Sequence, residues 1–276
     1  MQTLKRYLKH SLNFIKLVFN LENLKEKEIS GNFLWRSKFS LLPKTKVNLP
    51  FSLGRSFRGC AFEDYIEKDP FARMVDQVLI SKDNKKAINI LLKCYEDELN
   101  SFDKSPMGSL QPKKFFNHPP WAIVMPWEKI SVEDKLEKYI DHFKENRGLH
   151  GASFKEGFSN KSLYSPDVAY SQVKQTQKLV SSIKSRGIIN SKKLPLVFIL
   201  KNGSKWRWCM TGEGNHRAYI FAAMKQTNMK AEIYDIIDRE KVESWPNVQN
   251  GNYTREEALP VFDSFFEGKI CIRGMA

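Results

Sequence analysis

The chain has 276 residues, 41% of them hydrophobic and 28% charged, and a formal net charge of +14. That length suits one large domain or two small ones, and that composition suits a folded protein rather than a disordered one. No stretch approaches the roughly 18 consecutive apolar residues of a spanning helix, and the early apolar run Phe14–Phe19, broken by Lys16, is too short for a signal-peptide core.

The charge is unevenly placed. Residues 1–60 hold 12 Lys and Arg against 3 Asp and Glu, a net +9, whereas the rest hold 33 against 28, a net +5. A basic segment implies an anionic partner, either nucleic acid or an anionic membrane surface. The four cysteines, Cys60, Cys94, Cys209 and Cys271, are far apart with no CxxC pair. That pattern fits a reducing cytosol better than a disulfide scaffold or a zinc site. The expectation is a cytoplasmic protein, in one reading peripheral to the membrane.

Over residues 1–28, Leu4, Leu8, Leu12, Ile15 and Phe19 fall at helical spacing, with Lys5, Arg6, Lys9 and Lys16 among them. This basic amphipathic helix either lies in a membrane interface or packs on the body of the protein. Residues 31–60 interleave aromatics with arginines (Trp35, Arg36, Phe57, Arg58), which suits nucleic acid or an extended arm on the domain. Two helices are expected next, one near 61–80 around Pro70 and one near 84–99. Residues 100–120 are proline-rich and mark a boundary. The resulting division is 1–30, basic helix; 31–115, arm and helical region; 116–240, the main α/β domain; and 241–276, a C-terminal loop and helix.

Trp121–Met125 reads as a buried strand. Ser131 then caps a helix over 131–147, with Gly148 as its stop. A loop over 148–165, holding His150, precedes a helix opened by Ser165-Pro166 and closed at Gly187. Leu194–Leu200, Asn202-Gly203 and Lys205–Met210 read as a hairpin. A helix over 216–226, a strand over 231–237 and a capping box at Thr254-Arg255-Glu256-Glu257 complete the chain. The expected fold is α/β, a small mixed sheet with flanking helices preceded by a mostly helical N-terminal region.

The richest segment is Gly212-Glu213-Gly214-Asn215-His216-Arg217. A glycine turn opening a helix aims backbone N–H groups and the positive end of the helix dipole at one spot, a ready anion site. His216 and Arg217 add a titratable donor and a bidentate cation. The alternative is a structural turn with a solvated arginine and a core histidine. The five histidines show no paired metal spacing, and no GxxxxGK[ST], GxSxG or GxGxxG motif occurs.

Val180–Ile189 resembles the "L-x-x-S-I-x-x-x-G-(I/V)" helix end of the ParB/sulfiredoxin superfamily. Gly212–Ala218 is similar to that family's "G-E-R-R-x-R-A" box and to its sulfiredoxin and free-serine-kinase phosphate loops. The resemblance covers about residues 120–240. Asn215 stands where sulfiredoxin has its reactive cysteine, and Gly214 and Asn215 replace two arginines of the ParB box. The stretch after Ile237 is shorter than the DNA-binding and dimerisation domains of segregation ParB proteins. The resemblance therefore implies a stand-alone nucleotide-binding domain. It would hold ATP or ADP, or CTP, with Mg2+ at residues 212–217, and would act as a kinase on a small hydroxyl compound. Glu128, just after the first strand, is the expected base, and His216 the second catalytic candidate. The alternative function is a DNA- or membrane-associated nucleotide-binding switch without small-molecule chemistry.

Overall fold

A computed structural model describes residues 46–63, 69–81, 84–101, 110–115, 124–135, 137, 166–186, 194–211 and 213–269. The basic helix expected over 1–28, the loop over 148–165 with His150, and most of the helix expected over 131–147 lie outside the described residues.

The architecture is mixed α/β, a five-stranded mixed sheet with helices on both faces. The strands are β1 (Lys46–Pro50), β2 (Gly54–Arg55), β3 (Leu196–Asn202), β4 (Lys205–Met210) and β5 (Asn228–Asp238), in the order β1-β5-β3-β4-β2. The hairpin forms as expected: β3 and β4 are antiparallel, with Asn202 opposite Lys205 across a turn at Gly203-Ser204. β5 returns parallel to β3 on its other side, and its register slips between Val197 and Phe198, leaving Tyr234 as the extra residue of a bulge. β1 pairs antiparallel to β5, and β2 pairs parallel to β4.

Alternation along the strands divides the core in two. Val197 and Ile199 of β3, with Trp206, Trp208 and Met210 of β4, face one cluster; Phe198, Leu200 and Cys209 face the other. The first face is covered by α1 (Pro70–Ile80), α2 (Asn84–Ser101), α3 (Pro166–Arg186) and α4 (Asn215–Ala223). The second is covered by residues 124–132, a 3-10 segment at Arg239–Ser244, α5 (Pro246–Gln249) and α6 (Arg255–Glu267). There Trp127 meets Trp245, Phe262 and Phe265 edge-on, at 5.4–6.1 Å between ring centroids.

Three expectations change. Residues 46–55, expected within an arm, supply both edge strands, so the sheet takes strands from either side of the boundary expected near residue 116. The first described helix begins at Pro70, not near residue 61, because Asp69 caps it and proline suits the first helical position. Val124 and Met125, the described end of the strand expected at 121–125, lie in no strand, although Val124 is fully buried. Apolar residues in a short run signal burial without fixing the backbone that buries them.

The arm is held by a buried arginine. Arg55 donates from Nε (3.1 Å) and Nη2 (2.8 Å) to the carbonyl of Phe266, in the last turn of α6. Those carbonyls have no partner within the helix, and a guanidinium fork suits them. Gly268 ends α6 with φ +73°, its N–H donates to Phe265 O, and that of Lys269 donates to Ser264 O. A Cβ on Gly268 would stand 2.7 Å from Ala61 Cβ and 3.0 Å from Arg55 Nε. Gly268→Ala should therefore cost about 2–4 kcal/mol, from the left-handed backbone and the overlap together. Urea denaturation should register this as a lower midpoint at unchanged m-value.

Candidate functional site

The glycine turn sits where β4 hands over to α4. Thr211 Oγ1 donates to Leu196 O (3.1 Å) and accepts from the N–H of Glu213 (3.2 Å). The N–H of Leu196 donates in turn to Glu213 O at 3.3 Å. The turn is thus stitched to the start of β3 before the helix begins. Gly212 lies outside the described residues.

Gly214 is the N-cap of α4, with φ +90°, and a Cβ there would stand 2.7 Å from Pro195 Cβ. Both the left-handed backbone and the contact with Pro195 require glycine. Its carbonyl accepts from the N–H of Ala218 at 3.1 Å, closing the first helical turn. Asn215, His216 and Arg217 therefore occupy the first three helical positions, where N–H groups point out of the helix end.

The three side chains differ in surroundings. Asn215 is partly exposed, but its Oδ1 is buried and has no hydrogen-bond partner among the described residues. The His216 ring packs on Phe71 of α1, 4.7 Å between centroids and tilted by 50°. Arg217 is half-buried; desolvation lowers its pKa from the ordinary arginine value, and the nearby Glu213 acts the other way. Arginine remains a cation under such a perturbation. The site thus offers a guanidinium, an imidazole and a helix N-terminus, with Glu213 as the neighbouring acid.

Beneath the turn lies a hub that sequence reasoning missed. Asp69 is fully buried, and its Oδ1 accepts from the N–H groups of Phe71 (2.9 Å) and Ala72 (3.4 Å). Its Oδ2 accepts from the hydroxyl of Tyr219, which lies on α4 three residues after His216. Phe71 also packs on Tyr219, 5.0 Å between centroids. One carboxylate therefore caps α1 and anchors α4 on it. The signal was present in Asp69-Pro70, a capping residue before a proline at the first helical position.

Glu128 is placed elsewhere. Its carboxylate accepts from Lys135 Nζ (2.7 and 3.0 Å) and from the N–H of Met125 (2.7 Å). Its backbone carbonyl accepts from Asn247 Nδ2 at 2.9 Å. Its neighbours Val124, Trp127 and Val132 belong to the core of the second sheet face, whereas α4 and Phe71 belong to the first. The structure brings Glu213, Gly214, Asn215, His216 and Arg217 together and puts the sheet between them and Glu128. Lys135 is 8% exposed, and its charge is balanced by Glu128, which gives that carboxylate a structural duty. Among the described residues no group of three or more His, Cys, Asp or Glu could hold a metal ion. None of their helices is long and apolar enough to cross a membrane. The described cysteines Cys60, Cys94 and Cys209 are buried.

No family model, curated protein or solved structure matches this chain.

The hub makes a pH prediction. Burial, with Asp69 beside it, holds the Tyr219 phenol well above its ordinary range, and burial does the same for Tyr253 and for the Cys209 thiol. In the unfolded chain these groups ionise near pH 8.5–10 at about their reference values. Their raised folded-state pKa values contribute stability that is whole below that window and lost as pH rises through it and beyond. Unfolding free energy from urea titrations should fall between about pH 9 and 11, and less steeply in Tyr219→Phe. At neutral pH that variant should lose about 1–3 kcal/mol, because Asp69 loses a buried donor.

Proposed function

We propose that this chain is a nucleotide-binding phosphotransferase of the ParB/sulfiredoxin-like type, acting on a small hydroxyl compound, with the nucleotide's phosphates at the start of α4. The observation that carries the reading is the Gly214-capped first turn, which holds His216 and a half-buried Arg217 at one helix end. The hairpin β3–β4, the turn and α4 follow one another in the order that the resemblance requires. This donor set suits an anion of high charge density. ATP, ADP and CTP all present such phosphates. Glu213 would offer Mg2+ the single carboxylate that, with phosphate oxygens and water, is enough to hold it. The nucleotide, when bound, would supply the phosphoryl group. On this chain's side, Arg217 would hold phosphate oxygens in a planar fork and His216 would donate to them, kept in position by Phe71.

One observation favours a second reading, a nucleotide-binding switch without small-molecule chemistry. Glu128, the expected base, is engaged with Lys135 and separated from the turn by the sheet. A phosphotransferase would then need another carboxylate as base for the incoming hydroxyl, and Glu213, the one beside Arg217, is already the carboxylate that would hold Mg2+. The basic segment of residues 1–60 would give such a switch its anionic partner, nucleic acid or membrane. A cytoplasmic location, peripheral to a membrane in the second case, belongs to both readings.

Isothermal titration of ATP, ADP and CTP with Mg2+ tests the shared part. Arg217→Ala should lose about 1.5–3 kcal/mol of binding, roughly 10- to 150-fold in affinity. Arg217→Lys should recover only part of it. Equal affinity of the wild type and Arg217→Ala, both folded, would overturn the reading. Glu128→Gln should leave nucleotide affinity unchanged and lower the melting temperature. Transfer of labelled phosphate to a panel of small alcohols separates the enzyme from the switch.

A further inference from the structure

Ser56-Phe57-Arg58-Gly59 has the residue types of a β-turn, serine first and glycine last. The turn forms. The N–H of Gly59 donates to Ser56 O at 2.9 Å, with φ +79° at Gly59, and the N–H of Ser56 donates to Cys60 O at 2.8 Å. Ser56 Oγ accepts from the N–H groups of Arg58 and Cys60, both at 3.2 Å, and Cys209 Sγ donates to Ser56 O at 3.2 Å. Ser56, Gly59 and Cys60 are buried, so the feet of the turn are fixed in the protein. Phe57, at the tip, is 39% exposed, although nothing in the turn's geometry asks for an aromatic there. A ring facing solvent on buried feet is a rigid platform, which a second ring can cover at little cost in lost freedom.

The pairing of β2 sets what stands beside this platform. β2 runs parallel to β4, with Arg55 opposite Cys209. Both strands therefore finish at the same end of the sheet, β2 in the Ser56–Gly59 turn and β4 in Thr211 and the glycine turn. Open α/β sheets bind ligands outside the carboxyl ends of their parallel strands. Side chains join the two turns. The Ser56 hydroxyl hydrogen-bonds Tyr219, Tyr219 packs on Phe71, and Phe71 packs on His216. Among the described residues the other exposed large hydrophobic side chains, Ile80, Tyr170 and Tyr234, lie within α1, α3 and β5, whereas Phe57 lies in a connection beside the glycine turn.

We propose that Phe57 stacks on the base of the nucleotide whose phosphates sit at the start of α4, an assignment that rests on that reading of the glycine turn. Arg217 and His216 hold the phosphates, the nucleoside extends over the neighbouring turn, and its base lies on the Phe57 ring. An aromatic face accepts any base, so Phe57 selects a nucleotide over an inorganic polyphosphate. The two fused rings of a purine cover more of that face than a pyrimidine does, so ATP and ADP are favoured over CTP.

The test is calorimetric titration of the full-length chain with ATP and with inorganic tripolyphosphate, each with Mg2+. Phe57→Ala should weaken ATP binding roughly 5- to 150-fold, the range for loss of one base–aromatic stack, and leave tripolyphosphate affinity unchanged. Phe57→Trp should keep the affinity for ATP, and its added fluorescence should be quenched by ATP and not by tripolyphosphate. Arg217→Ala should weaken both ligands, which separates the stack from the grip on phosphate. Both Phe57 variants should melt close to wild type, because the ring lies at an exposed tip. Equal ATP affinity of wild type and Phe57→Ala, with the Arg217→Ala loss intact, overturns the stack and leaves the phosphate reading standing. Equal losses of ATP and tripolyphosphate in Phe57→Ala also overturn it, because the ring would then act through the fold of the site. A wild type that binds neither ligand overturns the phosphate reading and the stack with it.

Discussion

A carboxylate with no exposure to solvent persists only when donors surround it, and Asp69 is such a group. Two of its donors are the first free N–H groups of α1, and the third is the hydroxyl of Tyr219 on α4. The donors come from two helices far apart in sequence, so satisfying the charge joins those helices. Phe71 completes the joint, touching Tyr219 on one side and His216 on the other. The orientation of the α4 N-terminus, and with it the aim of His216 and Arg217, follows from how one buried charge is solvated by protein.

The sheet imposes a complementary constraint. Its central strand β3 is buried on both faces, between β5 and β4, so every inward residue needs a partner layer. α1–α4 cover one face, and the aromatic cluster around Trp127 and Phe262 covers the other. The edges are closed by the segment 46–62, which is fastened to α6 through Arg55 and Gly268. Trp208 shows how closely this segment is fitted. Its ring meets Phe51 and Phe62, and its Nε1–H donates to Pro50 O at 2.7 Å. A core built this way separates chemistry on one face from chemistry on the other, which is why Glu128 and His216 do not meet.

Local sequence determined a good deal. The β3–β4 hairpin, the start of α3 at Pro166 and the capping box of α6 all follow from preferences within a few residues. So does the glycine turn, because a helix opening on a left-handed residue needs glycine whatever surrounds it. The bond from the N–H of Asp134 to Ser131 Oγ was legible in the same way.

What only the tertiary structure decided is which of these pieces stand together. Nothing local says that Lys46–Pro50 pairs with a strand some 180 residues later, that Asp69 reaches Tyr219, or that Gly214 must be glycine because of Pro195 as well as its backbone. A carboxylate after a predicted strand looks alike on either side of a sheet, so the role of Glu128 could not be read from its position in the chain. The reason is general: periodicity and caps encode the free energy of neighbours in sequence, whereas pairing, burial of charge and the face a residue occupies depend on contacts that exist only after the chain has closed on itself.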